Sequence, residues 1–223
     1  LRELLSPDGI LVFETFYLVD LVENLAFDFI FHEHLSCYSV KPLQTFFQTY
    51  GMQLVDVQRV ATKGGSIRGF VRLGQSQTET PLNVAELIRR ENELGIHTQE
   101  AFMGLSRKID STKNQLLNLL QGIQEEGKTV VGYGASAATT TLLYQFDLGD
   151  KLSFIADDNP VRQDLFSPGL HIPVKPAQAI YDGDVDYILI LAWRHGQAIM
   201  SKHPEFLARG GHFIVPLPEV EVI

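Results

Sequence analysis

Two imidazoles and a carboxylate fall within three positions at His32-Glu33-His34, flanked by Phe31 and Leu35. Histidine titrates near neutral pH and a neighbouring carboxylate can orient or polarise it, so the cluster suits general acid–base chemistry. In an extended stretch His32 and His34 would share a face and could chelate a metal. A metal needs at least one more ligand, and no second cluster has recognisable ligand spacing. Polar residues satisfied inside the fold are the third account. Proton transfer explains His32, Glu33 and His34 best, and no metal is expected.

A second group of chemically informative residues is Gly132-x-Gly134-x-x-Ala137, set after the apolar run Thr129-Val130-Val131 and before a helical pattern. Glycines there let the backbone approach a phosphate, and the helix start offers free N–H donors. Asp157 and Asp158 end the next apolar run, where a ribose-binding acid would lie. The competing reading is a Rossmann-like turn with no nucleotide. Arg68, Arg162 and Arg194 are candidate anion clamps by residue type. Tyr38, Tyr133 and Trp193 could stack on a base or sugar, with core packing as the alternative. Of the isolated histidines 171, 195, 203 and 212, His195 stands out because it follows a buried strand.

These residues need elements to hold them. Ile10–Glu14 is a short, nearly continuous apolar run after the Ser6-Pro7-Asp8-Gly9 turn, which predicts a strand buried on both faces in a parallel sheet. A helix from Lys41 through Gln48 ends at Gly51, and Met52–Val60 reads as the next strand. Gly64-Gly65 turns into the alternating stretch Ser66–Arg72, so these two strands should be antiparallel. From Leu82 to about Glu126 the pattern is helical, its apolar stripe interrupted at Gly95 and Gly104. Strands at Thr129–Val131, Leu152–Ala156, Tyr187–Ala192 and His212–Pro216 then alternate with helical segments, the pattern of a doubly wound parallel sheet.

With 45% hydrophobic and 20% charged residues over 223 positions, the chain has an ordinary globular composition. Its net charge of -9 argues against nonspecific nucleic-acid binding. One cysteine, Cys37, allows no intrachain disulfide or cysteine-ligated zinc and fits a reducing cytoplasm. No apolar run has transmembrane length, and no signal-like segment is present, so no membrane partner is expected. The chain opens at Leu1 inside a helical pattern and reads as a portion of a longer protein.

Phe31–Ser36, Gly64–Arg68, Gly132–Ala137, Asp157–Pro160, Pro168–Val174 and Leu191–Trp193 together resemble the sugar C-methyltransferases that act on nucleotide-activated keto-deoxysugars. The six stretches occur in family order over nearly the whole chain. The resemblance implies an α/β fold in three parts. These are the end of a class I methyltransferase sheet (1–75), a helical linker (76–127) and a Rossmann-like doubly wound parallel domain (128–223). It further implies S-adenosylmethionine as methyl donor, with the zinc domain and the main donor-binding loop lying outside this chain, and little activity for this portion alone. The substrate would be a nucleotide-linked keto-sugar. His34 inherits the role of general base, removing the proton next to the ketone, and Glu33 would orient it or stabilise the enol. Tyr38, Ser66, Arg68, Gly132, Gly134, Asp157, Arg162 and Trp193 become candidate substrate contacts. Two positions depart from the family pattern: Phe31, where many relatives carry Tyr, and Ala138, where many carry Lys. The alternatives are an NAD-dependent sugar oxidoreductase using the Gly132 turn, or a non-catalytic sugar-nucleotide-binding domain.

Overall fold

The computed structural model describes residues 1–74 and 80–223. The chain divides into two compact units: Leu1–Ala26 with Ser36–Arg107, and Phe27–Leu35 with Lys108–Ile223. The division contains one unexpected feature. The short stretch carrying the His-Glu-His cluster belongs to the second unit, although both of its flanks belong to the first.

In the first unit, β1 (Ile10–Phe16) is followed by α1 (Leu18–Glu23), α2 (Val40–Thr49), β2 (Met52–Val60), β3 (Ser66–Leu73) and α3 (Leu82–Glu93). The sheet order is β1-β3-β2, with β3 antiparallel to both neighbours. The expected antiparallel pairing of β2 with β3 is therefore present. β1 differs from expectation: it pairs antiparallel, and its residues alternate between exposed and half-buried. Its apolar run covers a sheet with one wet face, where Val12 stays 52% exposed, because apolar composition alone does not bury a strand. The core beneath gathers Tyr17, Val19, Leu54, Ile67, Val71 and Val84.

Glu91 on α3 is fully buried and holds this unit together. Its carboxylate accepts from the Tyr17 hydroxyl (3.0 Å), the Val40 amide (2.5 Å) and the Lys41 amide (3.0 Å). The last two are free N–H groups at the start of α2, whose N-cap Ser39 makes no side-chain cap. A charge that favours the positive end of a helix thus replaces the usual cap. Burial, and then the adjacent Glu91, push the Tyr17 hydroxyl far above the ordinary tyrosine value, so it stays protonated and donates. Tyr17 also bridges to Tyr38, and the Leu18 amide donates to the Tyr38 carbonyl at 2.8 Å.

The helical stretch breaks at Gly95, where φ is +62°. Helix α4 (Gln99–Glu125) then runs on through Gly104, because each interior glycine costs only about 1 kcal/mol in so long a helix. The boundary between the two units falls inside α4, at Arg107/Lys108. The expected limit at residue 75 lies outside the described residues.

In the second unit, Leu116, Leu120 and Ile123 of α4 are buried in a helical stripe. Then come β4 (Val130–Tyr133), α5 (Ala137–Gln145), β5 (Ile155–Asp157), β6 (Val174–Pro176), β7 (Tyr187–Ile190), α6 (Gly196–Lys202), α7 (Pro204–Ala208), β8 (His212–Val215) and β9 (Glu221–Val222). The sheet order is β6-β5-β4-β7-β8-β9, parallel except for β9. This is the parallel order that the alternation of strands and helices predicts, and it reverses direction between β4 and β7. The crevice outside the carboxyl ends of those two strands is where such sheets place their ligands.

Replacing Glu91 by Ala should orphan three donors, two of them buried, and lower the urea unfolding free energy by about 3 kcal/mol. Glu91→Gln keeps one acceptor oxygen and should cost visibly less. Equal unfolding midpoints for wild type and Glu91→Ala would refute the clasp.

Candidate functional site

The motif stretch starts with a single 3-10 turn, Phe27–Phe29, whose middle residue is an almost fully buried carboxylate, Asp28. Arg194 forks onto it, with Nη2 to Oδ1 at 2.7 Å and Nη1 to Oδ2 at 2.8 Å, and the Trp193 indole N–H adds a third bond at 3.0 Å. The Phe27 ring packs 5.3 Å from that of Phe146, and the Thr141 hydroxyl donates to the Ile30 carbonyl at 3.4 Å. Trp193 and Arg194 come after the end of β7 with two residues between, on the side where the strand order reverses. The stretch carrying the histidines is therefore docked beside the end of β7, where the strand order of the parallel sheet reverses.

The three cluster residues have different surroundings. His32 and Glu33 are open to solvent, with side chains 82% and 68% exposed, and face each other at 4.0 Å. His34 is half-buried. Its ring lies 4.7 Å from Phe31 and 5.4 Å, edge to face, from Phe29. Among the described residues nothing hydrogen-bonds its ring nitrogens. Glu33 pairs with His32 rather than His34, so the expected orienting contact is not made. Among the described residues no group of three or more His, Cys, Asp or Glu side chains has metal-holding geometry.

Gly132, Gly134, Asp157 and Arg162 come together at the turn after β4. At Gly134, φ is +99°, and a Cβ would lie 2.5 Å from the Ala192 side chain, so the strand end next to β7 leaves no room for one. A Cβ on Gly132 would meet Leu191 at 2.6 Å. Asp157, almost fully buried, accepts from the Ala135 amide at 2.6 Å, the Asn159 amide at 2.8 Å and Arg162 Nη1 at 3.3 Å. The amide that would greet a phosphate is thus already engaged by a carboxylate of the chain. Ser136 caps α5 in a reciprocal box with Thr139. Between this first turn and residues 162–168 opens a cleft of about 180 Å³, lined by Ser136, Thr140, Leu143, Arg162 and Phe166 among others.

Tyr38, Ser66 and Arg68 lie in the first unit. The Tyr38 side chain is partly exposed. Ser66 is buried and donates to the Thr62 carbonyl at 3.0 Å. Arg68 sits directly across the β1–β3 ladder from Glu14, and both Nε (3.1 Å) and Nη2 (2.8 Å) reach the same carboxylate oxygen. The Thr62 hydroxyl and then Arg68 hold the Glu14 carboxyl below its usual value.

Sequence reasoning missed Asp28 altogether. The available signal was a lone acid inside Phe27-Asp28-Phe29-Ile30-Phe31, which has to find a partner once its neighbours are buried. It also set His203 aside as isolated. That ring is buried and belongs to a hydrogen-bonded chain whose direction is fully determined. Asp158 can only accept, so Tyr133 donates to it at 2.8 Å. The Tyr133 oxygen therefore accepts from His203 Nε2 at 3.0 Å, and His203 Nδ1 accepts from the Tyr181 hydroxyl at 3.0 Å. Lys202 neutralises Asp158 at 2.7 Å and, more than any other contact, holds that carboxyl low. Burial pushes His203 below the ordinary histidine value and Tyr133 above the ordinary tyrosine value. His195, by contrast, is exposed.

A family model described as the C-methyltransferase C-terminal domain matches residues 61–218. The chain is also similar to C-methyltransferase NovU of Streptomyces niveus, with 39% identity over 223 residues, covering 99% of this chain and 53% of that protein. It thus spans about half the length of that curated relative.

Because the folded His203 has a depressed pKa, its contribution to stability is full above about pH 6.5 and is lost as pH falls toward the folded value. Between pH 7 and 5 the wild type should lose more unfolding free energy than His203→Gln, by at most about 1.4 kcal/mol per pH unit. Parallel pH profiles for the two proteins would show that His203 is not the titrating group.

Proposed function

The chain belongs to the C-methyltransferase C-terminal domain family, and from that premise we propose that it helps methylate a carbon next to the ketone of a nucleotide-linked sugar, with His34 as general base. On this reading the three-stranded sheet is the end of a methyltransferase sheet, and the second unit presents the base and part of the substrate site.

One observation carries the choice of His34. Of the three cluster residues it alone is half-buried, packed against two aromatic rings, and no described residue occupies its ring nitrogens. A base needs a free nitrogen held at a fixed angle. His32 and Glu33 lie in the solvent and face each other. In the proposed step a His34 nitrogen takes the proton from the carbon beside the ketone, and the C–H electron pair moves to form the enolate. Phe29 and Phe31 keep water from one side of the imidazole, and His32 and Glu33 stay free to contact polar groups of the substrate at the rim.

S-adenosylmethionine supplies the electrophilic methyl group that such a carbon nucleophile needs. The described residues do not fit it: the glycine turn after β4 is closed by Asp157 on the Ala135 amide, and β1 leads into α1 through Tyr17 with no glycine cradle. The donor's binding groups are therefore sought elsewhere in the enzyme. For the nucleotide end of the substrate, the cleft beside Arg162, Ser136 and Phe166 offers a cation, a hydroxyl and an exposed ring. Tyr38 is exposed enough to reach a ligand, whereas Ser66 and Arg68 would have to give up internal bonds to do so.

In the full-length enzyme, His34→Ala should lower turnover by about 10²- to 10⁴-fold. The dissociation constant for S-adenosylmethionine, measured by calorimetry, should stay unchanged. Undiminished turnover would remove His34 from the chemistry.

A further inference from the structure

We propose that Arg194, locked by Asp28, is a positioning residue that sets the angle of the His34 ring through Phe29. The inference rests on the reading of His34 as base but makes a separate claim. Its basis is a continuous stack of groups. The Arg194 guanidinium lies between two rings, 4.2 Å from the centroid of Trp193 and 4.0 Å from that of Phe29. Phe29 in turn meets the His34 ring at 5.4 Å and 90°. Asp28 fixes this arrangement, because its two oxygens take both Arg194 Nη groups while the second oxygen also takes the Trp193 N–H.

The chemistry requires arginine. Only a planar guanidinium can fork onto a carboxylate in its own plane and present both flat faces to aromatic rings. A lysine would keep the charge and lose both the fork and the faces. Arg194 Nε is also buried without a partner. The side chain therefore gives up one hydrogen bond to keep this orientation, which argues that orientation is what the arrangement serves. The location supports the same conclusion, since Trp193 and Arg194 follow β7 at the strand-order reversal, where the polar groups of such a sheet ordinarily meet a ligand. Here they grip the stretch that bears the histidine.

The test uses the full-length enzyme with histidine labelled by ¹³C at Cε1, the His34 resonance being assigned by its loss in His34→Asn. Ring currents from Phe29 and Phe31 displace that resonance in the wild type. In Arg194→Lys it should move toward the position of a free histidine, and turnover should fall by about 10²-fold, the penalty for a reacting group displaced by about an ångström. The KM for S-adenosylmethionine should be unaltered. Asp28→Asn, which keeps size and one acceptor, should shift the resonance in the same direction and serves if Arg194→Lys does not fold. Thr141→Val loosens the same stretch at Ile30 without touching the stack and should leave the signal in place. An unmoved His34 signal in folded Arg194→Lys or Asp28→Asn would overturn the proposal, as would an equal shift in Thr141→Val. Failure of the base reading looks different: His34→Ala would then turn over normally whatever Arg194 does.

Discussion

A carboxylate buried between phenylalanines has to be neutralised, and the organisation of the second unit follows from how Asp28 meets that demand. Leaving such a charge unpaired costs several kcal/mol, more than any local preference of a nine-residue stretch could offset. Arg194 and Trp193 satisfy it, and both project from the end of β7. Hydrophobic contacts such as Phe27 with Phe146 add area but little direction. The ion pair supplies the direction. It accounts for why residues 27–35 cluster with a sheet that begins about a hundred positions later.

Buried acids play the corresponding part at two further places. Glu91 closes the start of α2 and grips the Tyr17 hydroxyl, while Asp157 closes the turn between β4 and α5. Glu91 and Asp157 each accept from main-chain amides with no partner in their own helix or strand, so the cost of desolvating the carboxylate is offset by several donors at once. Asp28 differs in taking side-chain donors only. Backbone-capping acids fix where a helix begins; an acid bound to a guanidinium fixes where another side chain points. That distinction is why Asp28, rather than Glu91 or Asp157, connects to the proposed chemistry.

The parts of the fold legible in the sequence were those written in local pattern. The runs Met52–Val60 and Ser66–Arg72 around Gly64-Gly65 form the expected antiparallel pair, and the alternation after residue 128 forms the doubly wound sheet. Ile10–Glu14 misled because a nearly continuous apolar run suits a doubly buried strand as well as one that leaves Val12 in water. Which it becomes depends on partners far along the chain. The same limit applies to the site. The composition of His32-Glu33-His34 marked it, but His34 differs from the solvent-facing pair by its contact with Phe29, which in turn meets Arg194, 160 positions from His34. No spacing rule reaches across that interval, though a lone acid in an aromatic run does signal that some long-range cation must exist.

The glycine turn shows how one set of residues supports two physical explanations of different strength. Gly132-x-Gly134 reads as a phosphate cradle if glycine is there to admit a ligand. The contacts give a sufficient reason without one, since side chains at either position would strike Leu191 or Ala192, and Gly134 needs a positive φ. Asp157 then places negative charge on the Ala135 amide, so a pyrophosphate arriving there would meet a carboxylate already bound where its oxygen should go. To bind, it would have to displace Asp157 from two amides and from Arg162, leaving a buried acid unsatisfied. A ligand that approaches from the Arg162 side of α5 avoids that penalty. The motif therefore reports the close packing of β4 against the end of β7, and the proposed nucleotide end of a substrate would approach along the 162–168 cleft rather than over the glycines.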